Sequence, residues 1–154
     1  HLAGPAFSVV AVSLKKKFIE GLIQHDIPVS DAKIVVAGET AADGYLGALE
    51  ILKDPAGRPT ALLCFNDMVA MGAYRAAHEL SLQIPEDLSV VGFDGIDFAE
   101  LLGPPLTTVD IFPHLLGQKC AELLVRAIGD QTGRGFVTEC VTPKLVERAS
   151  VRQL

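Results

Sequence analysis

"SVVGFDGID", residues 89–97, climbs through Val90, Val91 and Phe93 and then breaks off on Asp94, Gly95 and Asp97. A short, unbroken apolar run of this kind fits a strand buried on both faces, as in a parallel sheet. Two other runs match it, KIVVAG (33–38) and TALLCF (60–65). Helix patterns lie between the three. From Thr40, an N-cap with Asp43 in the first turn, the positions Ala42, Tyr45, Leu46, Leu49 and Leu52 repeat at the helical period until Asp54-Pro55. Asn66 caps a second helix whose packed stripe is Val69, Ala73, Ala76, Ala77 and Leu80. An upstream helix is marked by Phe18, Ile19, Leu22 and Ile23 and closed by the loop His25-Asp26-Ile27-Pro28. Strand and helix alternate, which predicts an α/β parallel-sheet layer sandwich with right-handed crossovers.

The pattern changes at GPPLTTVD (103–110), where Gly-Pro-Pro forces an extended or turning segment and Leu106 to Val109 resumes strand-like composition. Pro113 then opens a long helix ending near Gly129. Leu116, Cys120, Leu123, Leu124 and Ala127 line one of its faces; Gln118, Lys119, Glu122 and Arg126 line the other. DQTGRG (130–135) is a polar loop, and FVTECVTPKLVERASV (136–151) supplies one or two terminal strands.

Bulk properties exclude several classes. The 154 residues suffice for one domain with a real core; 49% are hydrophobic and 21% charged, which is globular and not disordered. The longest apolar runs, such as Val9 to Val12 and Ala61 to Phe65, are strand-length and far from the roughly 20 residues that span a bilayer. The net charge is −6, and the only basic run is Lys15-Lys16-Lys17, so this segment is not expected to bind DNA unaided. Cys64, Cys120 and Cys140 are odd in number and lack CxxC spacing, which favours reduced thiols, a cytoplasmic protein and no zinc. The start, His1-Leu2-Ala3-Gly4-Pro5, has neither a signal-peptide pattern nor a methionine; a piece of a longer protein is expected, whose front carries any targeting signal.

In open parallel sheets, ligands arrive beyond the carboxyl ends of the strands, where loops and helix N-termini converge. The three strands end in Gly38-Glu39-Thr40, Asn66-Asp67 and Asp94-Gly95, and these polar ends form one edge of a cleft. Asp94 and Asp97 lie three residues apart in one loop, a spacing that does not by itself flank a glycoside. A phosphoacceptor aspartate needs an acidic magnesium pair and usually a lysine; Glu39 and Asp67 are the nearest recruits, and no strand-end lysine joins them. GxSxG, HExxH, Walker A and GxGxxG are absent, and His25, His78 and His114 have no ligand or triad spacing. The reading preferred for Asp94 is a hydrogen-bond acceptor for a neutral hydroxylated ligand, with a plain loop residue as the alternative. Asp97 is expected to cap a short helix at 98–102.

The stretch from Pro59 to Val109 resembles the effector-binding region of the lactose-repressor (LacI/GalR) family of transcription regulators. Its marks are Pro59-Thr60-Ala61, Asn66-Asp67-Met68-Val69-Ala70-Met71-Gly72, Ile84-Pro85-Glu86-Asp87, Val90-Val91-Gly92-Phe93-Asp94 and Pro104-Pro105-Leu106-Thr107-Thr108-Val109. LLGQKCAELLVRAI and LVERASV follow in the family's order. The resemblance implies a type I periplasmic-binding-protein fold, two α/β lobes with a small effector between them. Residues 1–110 and 140–154 then form most of the C-terminal lobe, and 111–139 cross to the N-terminal lobe; the helix-turn-helix, the hinge and most of the other lobe are absent.

By the same resemblance Asn66 and Asp94 are effector-binding positions for a sugar or nucleoside-like molecule. Thr40 stands where many relatives place a stacking aromatic, and Lys17 lies beside the position of a family arginine, which Phe18 nearly matches. Effector binding would allosterically reorient paired DNA-binding heads, which requires a homodimer. Met71, Tyr74, Leu101 and Leu102 match family dimer surfaces, although packing on the lobe's own sheet would also account for them. No catalysis, cofactor, metal or membrane partner is implied, and operator DNA would be met only through the absent head. The rival reading is a periplasmic sugar-binding protein of a transporter, from which the Ile84-Pro85-Glu86-Asp87 and Pro105-Leu106-Thr107-Thr108 stretches lean away.

Overall fold

The computed structural model describes residues 1–129 and 137–152, so the polar loop 130–135 lies outside the described residues. β1 (Leu2–Ala3), β2 (Val35–Val36), β3 (Ala61–Leu63), β4 (Ser89–Asp94) and β5 (Thr107–Asp110) pair in parallel, and β6 (Lys144–Val146) joins β5 antiparallel. A bridge between Leu2 and Cys64 links β1 to β3, giving the spatial order β2-β1-β3-β4-β5-β6. The chain thus runs outward from β1 to β2 and then returns past β1 to β3. Right-handed crossovers put α1 (Val9–Gln24) on one face, and α2 (Ala41–Leu52) and α3 (Asp67–Glu79) on the other. The switch point falls between β1 and β3, whose following loops part to opposite faces.

Local chemistry sets the helix starts. Ser8 accepts from the Ala11 amide, and Asn66 Oδ1 from the Val69 amide at 2.8 Å. Thr40 and Asp43 form a reciprocal capping box, with Asp43 N bonded to Thr40 Oγ1 and Asp43 Oδ2 accepting from Thr40 N. Val9 to Val12, strand-length by composition, are the first turn of α1, because Ser8 captures the free amides there.

Of the expected stripe on α2, Leu52 is buried and Tyr45 and Leu49 pack half-buried against the core, while two positions are corrected. Leu46 is exposed, as is Ala42, while Gly44, Gly47, Ala48, Ile51 and Leu52 are buried. The cause is a backbone-to-backbone approach of α2 and α3. A Cβ on Gly44 would stand 2.2 Å from the Val69 carbonyl oxygen, and one on Gly72 would stand 2.1 Å from that of Ala41. Two glycines therefore let these helices lie closer than any side chain permits, and the contact centres the buried face of α2 on Gly44, Gly47 and Ala48, with Leu52 buried and Tyr45 and Leu49 half-buried beside them. The α3 stripe falls as expected, with Val69, Ala73, Ala76 and Ala77 buried and Leu80 half-buried.

The core joins α2 and α3 to Leu2, Leu62, Cys64, Val90 and Leu106. The strands are not buried on both faces: Leu63, Val91 and Phe93, which alternate with the core residues, are half-exposed. The chain after β6 is fastened by the buried Ser150 hydroxyl, which donates to Val90 O at 2.6 Å and accepts from Thr107 N at 2.8 Å. α4 (Pro113–Gly129) has the expected bounds but buries none of its residues; Leu124 and Ile128 stay exposed. Among the described residues, Lys119 of α4 pairs with Glu139 at 2.6 Å, and Arg126 lies 3.5 Å from the same carboxylate.

Candidate functional site

The parallel register sets the carboxyl ends of β3 and β4 side by side, and the loops after β2, β3 and β4 bring Thr40, Asn66 and Asp94 to one edge of the sheet. These three polar ends differ in what their side chains have left to offer.

Asn66 is mostly committed. Its Oδ1 takes the Val69 amide and its Nδ2 donates to Glu39 O at 3.0 Å, tying the β3 loop to the β2 loop. One N–H and one lone pair remain for a ligand. Thr40 Oγ1 both donates to Asp43 Oδ2 at 2.7 Å and accepts from Asp43 N, so only a lone pair is left on its exposed hydroxyl. Lys17 is exposed on the flank of α1 and paired with Glu20 at 2.6 Å.

Asp94 is the opposite case. It is half-buried, and its backbone sits at φ 116°, a region L-residues rarely adopt. Burial pushes its carboxyl up to about 6, and the neighbouring Asp67 carboxylate adds to the push; among the described residues no hydrogen bond offsets them. A partly desolvated acceptor without partners, held on strained backbone at a strand end, is the kind of group found where a protein awaits a ligand.

Behind Asp94 lies Asp67, whose structural role the sequence did not reveal. It is fully buried at the start of α3. Oδ1 accepts from Thr108 Oγ1 at 2.6 Å, and Oδ2 accepts from the amides of Gly95 and Ile96, each at 2.9 Å. Burial raises its pKa, against the pull of these hydrogen bonds. Asp67 therefore shapes the loop that follows Asp94. Gly95 (φ 75°) turns that loop under Asp110, where a Cβ would come within 2.6 Å of the Asp110 carboxylate. Asp97 does not cap a helix: the short 3-10 turn Asp97–Leu101 starts at Asp97 itself, with Ile96 at the cap position and no side-chain cap bond. Among the described residues no cluster of His, Cys, Asp and Glu is arranged to hold a metal ion.

Of the surface residues, Leu101 is 76% exposed, whereas Met71, Tyr74 and Leu102 are half-buried. The Tyr74 hydroxyl donates to Pro104 O at 2.9 Å, so this side chain also braces the Gly-Pro-Pro turn. Met68 and Phe98 are exposed as well. No helix among the described residues is long and apolar enough to cross a membrane.

Residues 3–151 match the periplasmic binding protein-like domain family. The chain is 36% identical over 125 residues to the HTH-type transcriptional repressor PurR of Vibrio atlanticus, covering 81% of this chain and 37% of the repressor. It is similar to a lac repressor dimer bound to operator and the anti-inducer ONPF, with a TM-score of 0.81 and 31% identity over 97% of this chain and 50% of that one. A LacI family transcriptional regulator from Enterococcus faecium with bound ribose gives a TM-score of 0.81 and 29% identity, over 89% of this chain and 50% of that one. The chain spans well under half the length of the curated relatives it matches. With the strand order and crossovers above, these likenesses mean that the chain belongs to the periplasmic binding protein-like domain family, as one lobe of a LacI/GalR effector-binding domain.

Proposed function

We propose that this chain is the effector-binding C-terminal lobe of a cytoplasmic, homodimeric transcription regulator. Residues 1–110 and 140–154 form the lobe, and 111–139 cross to the N-terminal lobe. The uncovered apolar face of α4 supports that division, since a second lobe would bury it. A small hydroxylated effector, a sugar or a nucleoside-like molecule, binds at the strand ends. Asp94 accepts hydrogen bonds from its hydroxyls, and Asn66 adds the one donor and one acceptor it has left. Thr40 and Lys17 stay secondary contacts at the rim. Binding alters the angle between lobes and so the spacing of two helix-turn-helix heads on operator DNA, with no catalysis. Dimer contacts come from Leu101 and Leu102 with the exposed flank of Met71 and Tyr74.

The observation that carries this reading is Asp94: a half-buried carboxylate with no hydrogen-bond partner among the described residues, on strained backbone, at the ligand edge of the sheet. The test is a thermal-shift screen of sugars and nucleosides on the full-length protein, followed by operator binding with and without the hit. A hit whose affinity falls at least about tenfold in Asp94→Asn, and which changes operator affinity, is expected. A hit indifferent to Asp94→Asn removes the site. Absence of any specific DNA affinity in the full-length protein would favour the transporter receptor instead.

A further inference from the structure

Packing alone leaves one pair of side chains in the core unexplained. On the core face of β4, Gly92 follows Val90, and both are buried. A Cβ on Gly92 would collide with Asp67 Oδ1 and come within 2.9 Å of Leu106 Cδ2. Gly92 pairs in register with Thr108 on β5, and the Thr108 hydroxyl donates to that same oxygen at 2.6 Å. The Asp67 carboxylate therefore lies across one rung of the sheet, in the space that Gly92 leaves. An apolar pair of side chains would fill that space without burying an ionisable group, so close packing does not call for a carboxylate there.

What the carboxylate holds is the effector edge. Asp94 (φ 116°) and Gly95 (φ 75°) stand one after the other at positive φ, which strains the aspartate backbone. Asp67 Oδ2 accepts from the amides of Gly95 and Ile96, each at 2.9 Å, and so closes this turn from the core side. Asp67 also directly follows Asn66, the cap of α3. One buried side chain thus fixes the backbone beside both proposed effector contacts.

The same carboxylate carries charge. Its three donors favour the ionised form. The strand-end residues adjoining Asp94 are further acids: Asp110, its register partner on β5, Asp97 at the start of the 3-10 turn, and Glu39 in the loop after β2. The bases of α3 stand in its later turns, with Arg75 over the Tyr45 ring and His78 in the last turn. Among the described residues neither Asp67 nor Asp94 has an ion-pair partner. Burial, and after it the Asp67 charge, push the Asp94 carboxyl up to about 6.

We propose that Asp67 is a positioning residue of the effector site, which never touches the effector but holds Asp94 in its strained conformation and places a negative charge beside it. This rests on the function proposed above and names how that site is regulated. With Asp94 protonated the site offers the effector an O–H donor, and with Asp94 ionised it offers acceptors alone, so recognition changes with pH.

The experiment reads Asp94 directly, in the full-length protein isotope-labelled at its aspartate side-chain carboxyls, with the Asp94 signal identified by its loss in Asp94→Asn. Asp67→Asn keeps an oxygen for the two amides and an N–H for the Thr108 hydroxyl, and removes the charge. Its Asp94 carboxyl is expected to titrate at least about half a pH unit lower than in wild type, with the Gly95 and Ile96 amides exchanging as slowly as before. Asp67→Ala is expected to speed hydrogen exchange at Gly95 and Ile96 at least about tenfold more than at Val90, a core strand amide bonded to Ser150 O. An Asp94 titration unmoved by Asp67→Asn overturns the proposal. So does equal acceleration at Val90 in Asp67→Ala, which marks a purely structural carboxylate. If Asp67→Ala does not fold, the Asp67→Asn titration decides alone. Neither readout involves the effector. An effector indifferent to Asp94→Asn would therefore remove the effector reading while the link between the two carboxylates stays measurable.

Discussion

Replacing Asp94 by Asn is expected to make the protein more stable while weakening its grip on the effector. The carboxyl is raised from an ordinary 3.8 to about 6, because ionising it on the half-buried strand end is opposed by burial and by the Asp67 carboxylate. An unscreened shift of that size corresponds to about 3 kcal/mol against the folded state at neutral pH. Asp94 is only half-buried, so solvent screening reduces this to about 1 kcal/mol. The amide is isosteric, carries no charge, and tolerates the positive φ at least as well as aspartate does. The sign fixes the pH window. Below pH 3.8 the carboxyl is protonated in both folded and unfolded chains, and the variant gains nothing. Between 3.8 and about 6 the unfolded chain ionises first, the folded state holds the extra proton, and wild-type stability falls relative to the variant. Above about 6 the difference is constant. Urea denaturation of both full-length proteins at half-unit steps from pH 3.5 to 8 reads this directly. A stability difference that is flat across the window, or one favouring wild type at pH 7, would refute the desolvation account of Asp94.

Three further outcomes follow from the packing. Asp67→Ala leaves the Thr108 hydroxyl and the amides of Gly95 and Ile96 without their buried acceptor, and should cost about 3 kcal/mol or more in denaturant unfolding; a loss under about 1 would mean water replaces the carboxylate. Gly72→Ala places a methyl 2.1 Å from the Ala41 carbonyl oxygen, so α2 and α3 must separate, with an expected loss of about 3 kcal/mol; a neutral result would show that the close approach is not needed. Leu101→Glu adds a charge to a 76%-exposed position, so the melting temperature should hold while sedimentation of the full-length protein shows at least about a tenfold weaker dimer. Unchanged sedimentation would move the interface elsewhere.

Features set by neighbours in sequence were legible before the structure. Thr40 with Asp43, Asn66, Pro113 and Gly129 mark helix ends because capping is a matter of three or four residues, and each helix begins or ends where those residues stand. The run of strand ends was legible too, since periodicity reports burial. What stayed hidden depends on distance in the chain. Asp67 reads as an acid in a first helical turn, but its partners lie 28, 29 and 41 residues downstream. The glycines at the centre of the buried face of α2 were missed because hydropathy ranks Gly44 and Gly47 below Leu46, whereas close packing rewards the absence of a side chain.

The proposed effector site and the proposed dimer surface share one element. α3 carries Asn66 at its cap and Met71 and Tyr74 on its flank. Its first turn is tied by Asp67 to the loop behind Asp94 and to Thr108 on β5, and its middle is tied by Tyr74 to Pro104. Gly44 and Gly72 hold the same helix against α2 with no room to slide. An element fixed at its cap, middle and side does not itself switch between two packings. Under the proposed function a signal from effector to partner would then travel as motion of the whole lobe, and the parts left free to change would be the proposed crossings at residues 110–113 and 140–144. Substitutions in α3 should accordingly alter stability, or affinity for effector and partner separately, whereas substitutions at those crossings should alter the coupling between them.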